Sequence, residues 1–262
     1  FLLRPEARNI LVLGGGDGLA LREILKYSSV ERVTLVDVDR KMVELSTSRD
    51  FIRSLNQDSF SDARVQVVIA DAFRFAATDE QSYDLVFVDL PDPHEETLSR
   101  LYSKEFYGNV RRRLADSGLL VTQSSGYLTM AHRTITATLG AAGFRVLAYR
   151  SPSRREGRTL LSFGFTLAGR EALAPDQLRG RRVAVPTRTL GQRDIAVLFR
   201  PANDKPFPYR GARQPGVNSI FRPAYPVSRR DIFSQRYFDI VSFDHAVEQS
   251  VPARHQATPP PR

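Results

Sequence analysis

One stretch restricts the fold more than any other: Asn9-Ile-Leu-Val-Leu-Gly14-Gly15-Gly16-Asp17-Gly18, running on into Leu19-Ala-Leu-Arg-Glu-Ile-Leu-Lys26. The apolar run Ile10 to Leu13 reads as a strand buried on both faces of a parallel sheet. Leu21, Ile24 and Leu25 then share one face of a helix running from Leu19 to Lys26. A strand, a glycine-rich turn and a helix form the entry to a nucleotide-binding α/β fold. Free N–H groups at a helix start favour anions. Asp17 reverses that preference and makes the turn attractive to a cation.

The rest of the chain repeats the pattern. Strands are predicted over Arg32 to Asp39, Val65 to Asp71, Tyr83 to Asp89, Leu119 to Gln123, Phe144 to Tyr149 and Leu160 to Leu167. Helices are predicted over Lys41 to Arg49, Leu101 to Leu114 and Ala131 to Ala142, the last ended by Gly143. The final two strands have no good helix between them, only the arginine-rich Ser151 to Arg158, which predicts a terminal hairpin. The fold class is α/β, a doubly wound, mostly parallel seven-stranded sheet of Rossmann-like, methyltransferase type. After Arg170 the periodicity fades. Arg179 to Val185 and Asp194 to Phe199 read as short helices or strands, and Asp231 to Ser242 as an amphipathic helix. Pro201 to Arg230 reads as irregular, and Val251 to Arg262 as a disordered tail.

A doubly wound sheet binds its ligand at the carboxyl ends of its strands. Asp17, Asp37, Asp71, Asp89 and Asp92 all fall at strand ends or in the turns that follow. Asp37 lies about 20 residues past the glycine turn, which suits hydrogen bonds to a ribose diol. Dehydrogenases and methyltransferases share that position. Asp71, ahead of Ala72-Phe73, suits an adenine amino group. Together they point to an adenosine ligand. S-adenosylmethionine carries a carboxylate that would face Asp17, and two like charges about 4 Å apart cost roughly 4 kcal/mol at an effective dielectric near 20. A ligand with an ammonium and no carboxylate, such as decarboxylated S-adenosylmethionine, makes the same term favourable.

Gly14-Gly15-Gly16-Asp17-Gly18, Val36-Asp37-Val38-Asp39, Ala70-Asp71-Ala72-Phe73, Tyr83 to Asp89 with Leu90-Pro91-Asp92-Pro93, and Leu101-Tyr-Ser-Lys-Glu-Phe-Tyr107 together resemble the spermidine synthase family, the polyamine aminopropyltransferases. The likeness runs from about Asn9 to Leu167 and is greatest to bacterial members, some of which carry the catalytic domain behind membrane helices. The resemblance implies an aminopropyl transfer from decarboxylated S-adenosylmethionine, as co-substrate rather than cofactor, to a diamine or polyamine such as putrescine. It implies that Asp17 holds the aminopropyl ammonium and Asp37 the ribose hydroxyls. Asp71 and the Ala72 backbone would read adenine, with Gly14 and Gly16 against the nucleoside. Asp89 would take the proton from the attacking amine, Asp92 would orient the polyamine, and Gln123 would line the acceptor site. The domains expected are a catalytic domain over 1–170, an arginine- and proline-rich extension over 171–250 and the tail over 251–262. A homodimer, a membrane-anchored full-length protein and a cytoplasmic location are further expectations. Family members carry an upstream β-rich segment that helps close the site, and none of it lies between Phe1 and the first strand. A chain starting at Phe1, not Met, is expected to have its natural N-terminus upstream.

Two other readings stay open: an S-adenosylmethionine methyltransferase, and a nucleoside-binding domain of the same fold without turnover. The net charge of +9 raises a contact with nucleic acid or anionic lipid, although nucleic acid is not the expected partner. The chain has no cysteine, which excludes disulfides, thiolate metal sites and cysteine nucleophiles. His94, His132, His245 and His255 offer no metal spacing, and no metal is expected. Asp39 is expected to cap the helix after it rather than bind ligand. Tyr102 reads as core packing and Arg111 to Arg113 as a solvated helix end. Ser124-Ser125-Gly126 reads as a turn without the context of a nucleophile elbow.

Overall fold

A computed structural model describes residues 1–93, 96–126, 129–151, 154–155, 158–159, 163–178, 180–187, 195, 198–199 and 215–224. The first strand, β1 (Asn9–Gly14), lies in the middle of the sheet, and Ile10, Leu11, Val12 and Leu13 are all fully buried. Successive side chains on a strand point to opposite faces. Leu11 and Leu13 accordingly enter one core, and Ile10 and Val12 the other. Each such side chain contributes roughly 1.5–3 kcal/mol by leaving water.

The strands that follow are β2 (Arg32–Asp37), β3 (Val65–Ile69), β4 (Tyr83–Asp89), β5 (Leu114–Gly126) and β6 (Arg145–Arg150). A two-residue ribbon, β7 (Arg154–Arg155) with β8 (Arg158–Thr159), leads to β9 (Phe163–Gly169). The main sheet has seven strands in the order β3-β2-β1-β4-β5-β9-β6. Strands β1 to β5 pair in parallel, and β9 is antiparallel to both its neighbours. The order reverses between β1 and β4, which opens a crevice at their carboxyl ends.

The helices are α1 (Leu19–Ile24), α2 (Arg40–Ser48), α3 (Asp50–Asn56), α4 (Ala72–Thr78), α5 (Glu96–Ser99), α6 (Lys104–Arg113) and α7 (Met130–Ala141). One face of the sheet is covered by α4, α6 and α7 through Ala76, Phe106, Tyr107, Ile135 and Leu139. The other face is covered by α1 through Leu21 and Ile24, and by the C-terminal extension through Leu178 and Ile195.

The α/β class and the seven-stranded sheet agree with the sequence reading, and several boundaries differ. The second strand ends at Asp37, because the Asp39 side chain caps α2 by accepting the Met42 N–H at 3.1 Å, as expected of it. The third strand ends at Ile69 and the chain turns into α4, a helix not foreseen. The helix expected over Leu101 to Leu114 is split. A 3-10 turn spans Arg100–Tyr102, and Ser103 then caps α6 by accepting the Phe106 N–H. The last two strands do form a hairpin, but its return strand β9 slots between β5 and β6. Residues 180–187 contain neither helix nor strand, contrary to the element expected over Arg179 to Val185. Two further expectations, the helix over Asp231 to Ser242 and the tail over 251–262, lie outside the described residues, as do half of Asp194 to Phe199 and most of Pro201 to Arg230.

Candidate active site

The turn after β1 is shaped by contact with β4. Gly14 has φ +87°, and a Cβ there would lie 2.0 Å from the Asp89 carbonyl oxygen. Only glycine combines that backbone angle with so close an approach. At Gly16 the constraint is a carboxylate: its N–H donates to Asp37 Oδ2 at 2.9 Å, and a Cβ would lie 2.7 Å from that same oxygen. The other Asp37 oxygen accepts the Asp39 N–H at 2.8 Å. Asp37 is thus fixed at the end of β2 by two backbone donors, beside the turn.

Asp17 sits at the start of α1, its Oδ1 accepting the Leu19 N–H at 2.9 Å. From behind, α3 supports this turn. Asn56, fully buried, donates to the Asp17 and Ser46 carbonyls, both at 3.0 Å, and Ser59 Oγ donates to the Gly18 carbonyl. The sequence reading passed over Asn56 and Ser59. Isolated polar residues between helical apolar positions give no signal that they face inward.

Gly14, Gly15, Gly16, Asp17, Asp37, Asp39, Asp71, Ala72, Asp89 and Gln123 line one cleft of about 490 Å³. Its apolar walls are Val36, Val38 and Met42 on one side, and Leu90, Pro91, Leu98 and Leu101 on the other. Among the described residues no lysine or arginine lines it. The structure therefore brings together all but one of the residues singled out from the sequence. Asp92 follows the Pro91 corner, half-buried, and is not among the lining side chains.

Electrostatics set the state of Asp89. Burial raises its pKa above the ordinary carboxylate value, and the negative charges of Asp17 and Asp37 raise it further. Desolvation and like-charge repulsion thus both make Asp89 a better proton acceptor than an ordinary carboxylate.

Asp71 has a more crowded role than its position implied. Its Oδ1 caps α4 by accepting the Arg74 N–H at 2.9 Å, and its Oδ2 forms an ion pair with Arg100. The Arg100 guanidinium lies 5.9 Å from the centre of the Phe73 ring. Each carboxylate oxygen has two lone pairs, so a further donor can still be accepted. Arg100 was not anticipated, since a charged residue in a helical pattern reads as solvated. Tyr102, in contrast, is buried as expected, and its hydroxyl is within 2.9 Å of the Leu90 and Pro91 carbonyls. His132 is buried under β9, which lowers its pKa to about 4. It is a neutral structural side chain at pH 7.

The sequence pattern of the spermine/spermidine synthase domain matches residues 1–152. The chain belongs to the spermine/spermidine synthase family. Among curated members of the family, polyamine aminopropyltransferase 2 of Ralstonia nicotianae is 42% identical over 208 residues, which cover 77% of this chain and 39% of that protein. Polyamine aminopropyltransferase 1 of Streptomyces coelicolor is 39% identical over 192 residues, covering 72% of this chain and 35% of its own. The chain thus spans well under half the length of these relatives. The spermidine synthase of Thermotoga maritima superposes with a TM-score of 0.61 at 22% identity, covering 77% of this chain and 68% of that one. A spermidine synthase bound to the transition-state analogue AdoDATO gives 0.63 at 21%, with coverage of 77% and 69%. At that identity the family's solved structures share the fold with this chain.

Proposed function

We propose that the cleft binds decarboxylated S-adenosylmethionine and transfers its aminopropyl group to a diamine or polyamine, with Asp89 as the base. One observation carries the reading: Asp17, Asp37 and Asp89 converge in a cleft with no cationic side chain among the described residues that line it. A ligand with a sulfonium and an ammonium supplies the missing positive charge. A carboxylate-bearing nucleoside would add to the repulsion.

The steps follow from the same groups. The acceptor amine is protonated at neutral pH, its reference pKa being near 10. Asp89 takes one proton, and the freed lone pair attacks the aminopropyl carbon bound to sulfur. The new C–N bond forms as the C–S bond breaks, and the electron pair leaves with sulfur as the neutral thioether methylthioadenosine. Asp17 holds the ammonium of the transferred group, Asp37 the ribose, and Asp71 with the Ala72 backbone the adenine. Gly14 and Gly16 let the nucleoside approach the chain closely. Gln123 faces the acceptor. Asp92 orients the polyamine from beyond the Pro91 corner. Holding amine and carbon in line supplies much of the remaining rate.

The full-length protein is proposed to work as a homodimer on the cytoplasmic side of a membrane, in keeping with the resemblance to bacterial members. Among the described residues no helix is long and apolar enough to cross a membrane. Calorimetry with S-adenosylmethionine and its decarboxylated form tests the central claim. Tighter binding of the decarboxylated form, with methylthioadenosine released when putrescine is added, is the expected result. Preference for the carboxylated form would instead favour methyl transfer.

A further inference from the structure

The wall of the cleft formed by Leu98 and Leu101 belongs to α5 and the 3-10 turn after it, a short and weakly helical passage. Short helical turns of this kind hold their shape through outside contacts. One end is anchored by Tyr102, whose hydroxyl donates to the carbonyls of Leu90 and Pro91, next to Asp89. The other end is anchored at Ser99 by Asn218, 119 positions further along the chain.

Asn218 is fully buried, and its polar groups are all engaged. Its Nδ2 donates to the Ser99 carbonyl at 2.7 Å, and its Oδ1 accepts from Ser99 Oγ at 3.2 Å and from the Ala224 N–H at 2.8 Å. The Ala224 N–H can only donate, which fixes the orientation of the amide. The Asn218 backbone donates to Thr138 Oγ1 and accepts from the Lys104 N–H. The next residues reinforce the attachment. Ser219 Oγ and the Ile220 N–H both donate to the Glu105 carboxylate, at 2.7 and 3.0 Å. The residue gripped, Ser99, stands between the two apolar wall residues and beside Arg100, the ion-pair partner of Asp71.

We infer that Asn218 is a positioning residue for nucleoside binding, a clasp by which the C-terminal extension holds the Leu98–Leu101 wall and, through Arg100, the Asp71 carboxylate. This rests on the reading of the cleft as an adenosine site. The pairing is specific: alanine leaves the buried Ser99 carbonyl without its donor and the half-buried Ala224 N–H without its acceptor, and aspartate sets a carboxylate against a carbonyl oxygen.

Calorimetry with methylthioadenosine on the chain and on Asn218→Ala, followed by aminopropyl transfer assays on both, tests the clasp. The variant is expected to bind methylthioadenosine about 10-fold more weakly and to raise the nucleoside KM by a similar factor, with kcat within about twofold. Glu105→Ala, which loosens the strap at its exposed end, is expected to shift binding in the same direction by a smaller factor, and it serves where Asn218→Ala fails to fold. Hydrogen exchange at Leu98 to Tyr102 should rise in either variant. A parent chain that does not bind methylthioadenosine would remove the reading of the cleft itself. A parent that binds, with folded variants that bind equally well, would overturn the clasp alone.

Discussion

Asp89 is held where its chemistry and its stability conflict. Burial and the charges of Asp17 and Asp37 raise its pKa, so the folded chain holds a proton there to higher pH than the unfolded chain does. Stability is therefore lost as pH rises from the ordinary carboxylate value of 3.8 through the raised pKa. Asp89→Asn removes that penalty. Its Tm should exceed the parent's at pH 7, with the gain disappearing below pH 3.8. Aminopropyl transfer should fall by about 10²–10⁴-fold in the same variant, because the base is gone, while methylthioadenosine still binds. In the parent, kcat/KM should rise with pH across the Asp89 titration. Asp17→Asn, by deleting one of the neighbouring charges, should move that rise to lower pH. It should also reduce the preference for decarboxylated over carboxylated S-adenosylmethionine by about 10-fold or more, measured by calorimetry on both nucleosides.

At the scale of elements, the site is a meeting of strand ends, and strand ends were legible. The apolar runs ending in Asp37 and Asp89 are long and periodic enough to locate both carboxylates. The Gly14 turn was legible for a similar reason, since few sequences other than glycine runs make it. Gly14→Ala should be destabilised by about 3 kcal/mol or more in denaturant titration, because the new Cβ meets the Asp89 carbonyl from a left-handed backbone. The elements that went unread are short or aperiodic. Helix α4 has only seven residues, and its cap, Asp71, had already been assigned a ligand role. Arg100 and Asn56 act through single polar contacts that no repeat announces. Asn218 sits in a proline-rich stretch where a buried asparagine has no pattern to belong to. Pairing order was unreadable too, since a hairpin between β6 and β9 is local while the insertion of β9 beside β5 is not.

On the scale of the whole molecule, charge and burial are distributed unevenly. The net charge is +9, yet the cleft is lined by Asp17, Asp37, Asp39, Asp71 and Asp89. Among the described residues no basic side chain lines the cleft, and added salt should weaken cation binding there only modestly, since partly buried charges are screened less. The extension is part of the same interior: Leu178 is 8% exposed and packs with Ile10 and Val12 in one core. Leu178→Ala should cost about 2–3 kcal/mol in thermal or denaturant unfolding and leave methylthioadenosine affinity unchanged, because it lies on the sheet face away from α4 and α6. The position of β9 also bears on how the molecule is made. During synthesis β5 and β6 emerge first, and each has an open edge until Phe163–Gly169 arrives to lie between them. Until then the sheet can grow no further than β5, and the two waiting edges are free to pair wrongly with each other or with another chain. Assembly of this half of the sheet is consequently late and non-local, so refolding should show its slowest phase where β9 docks.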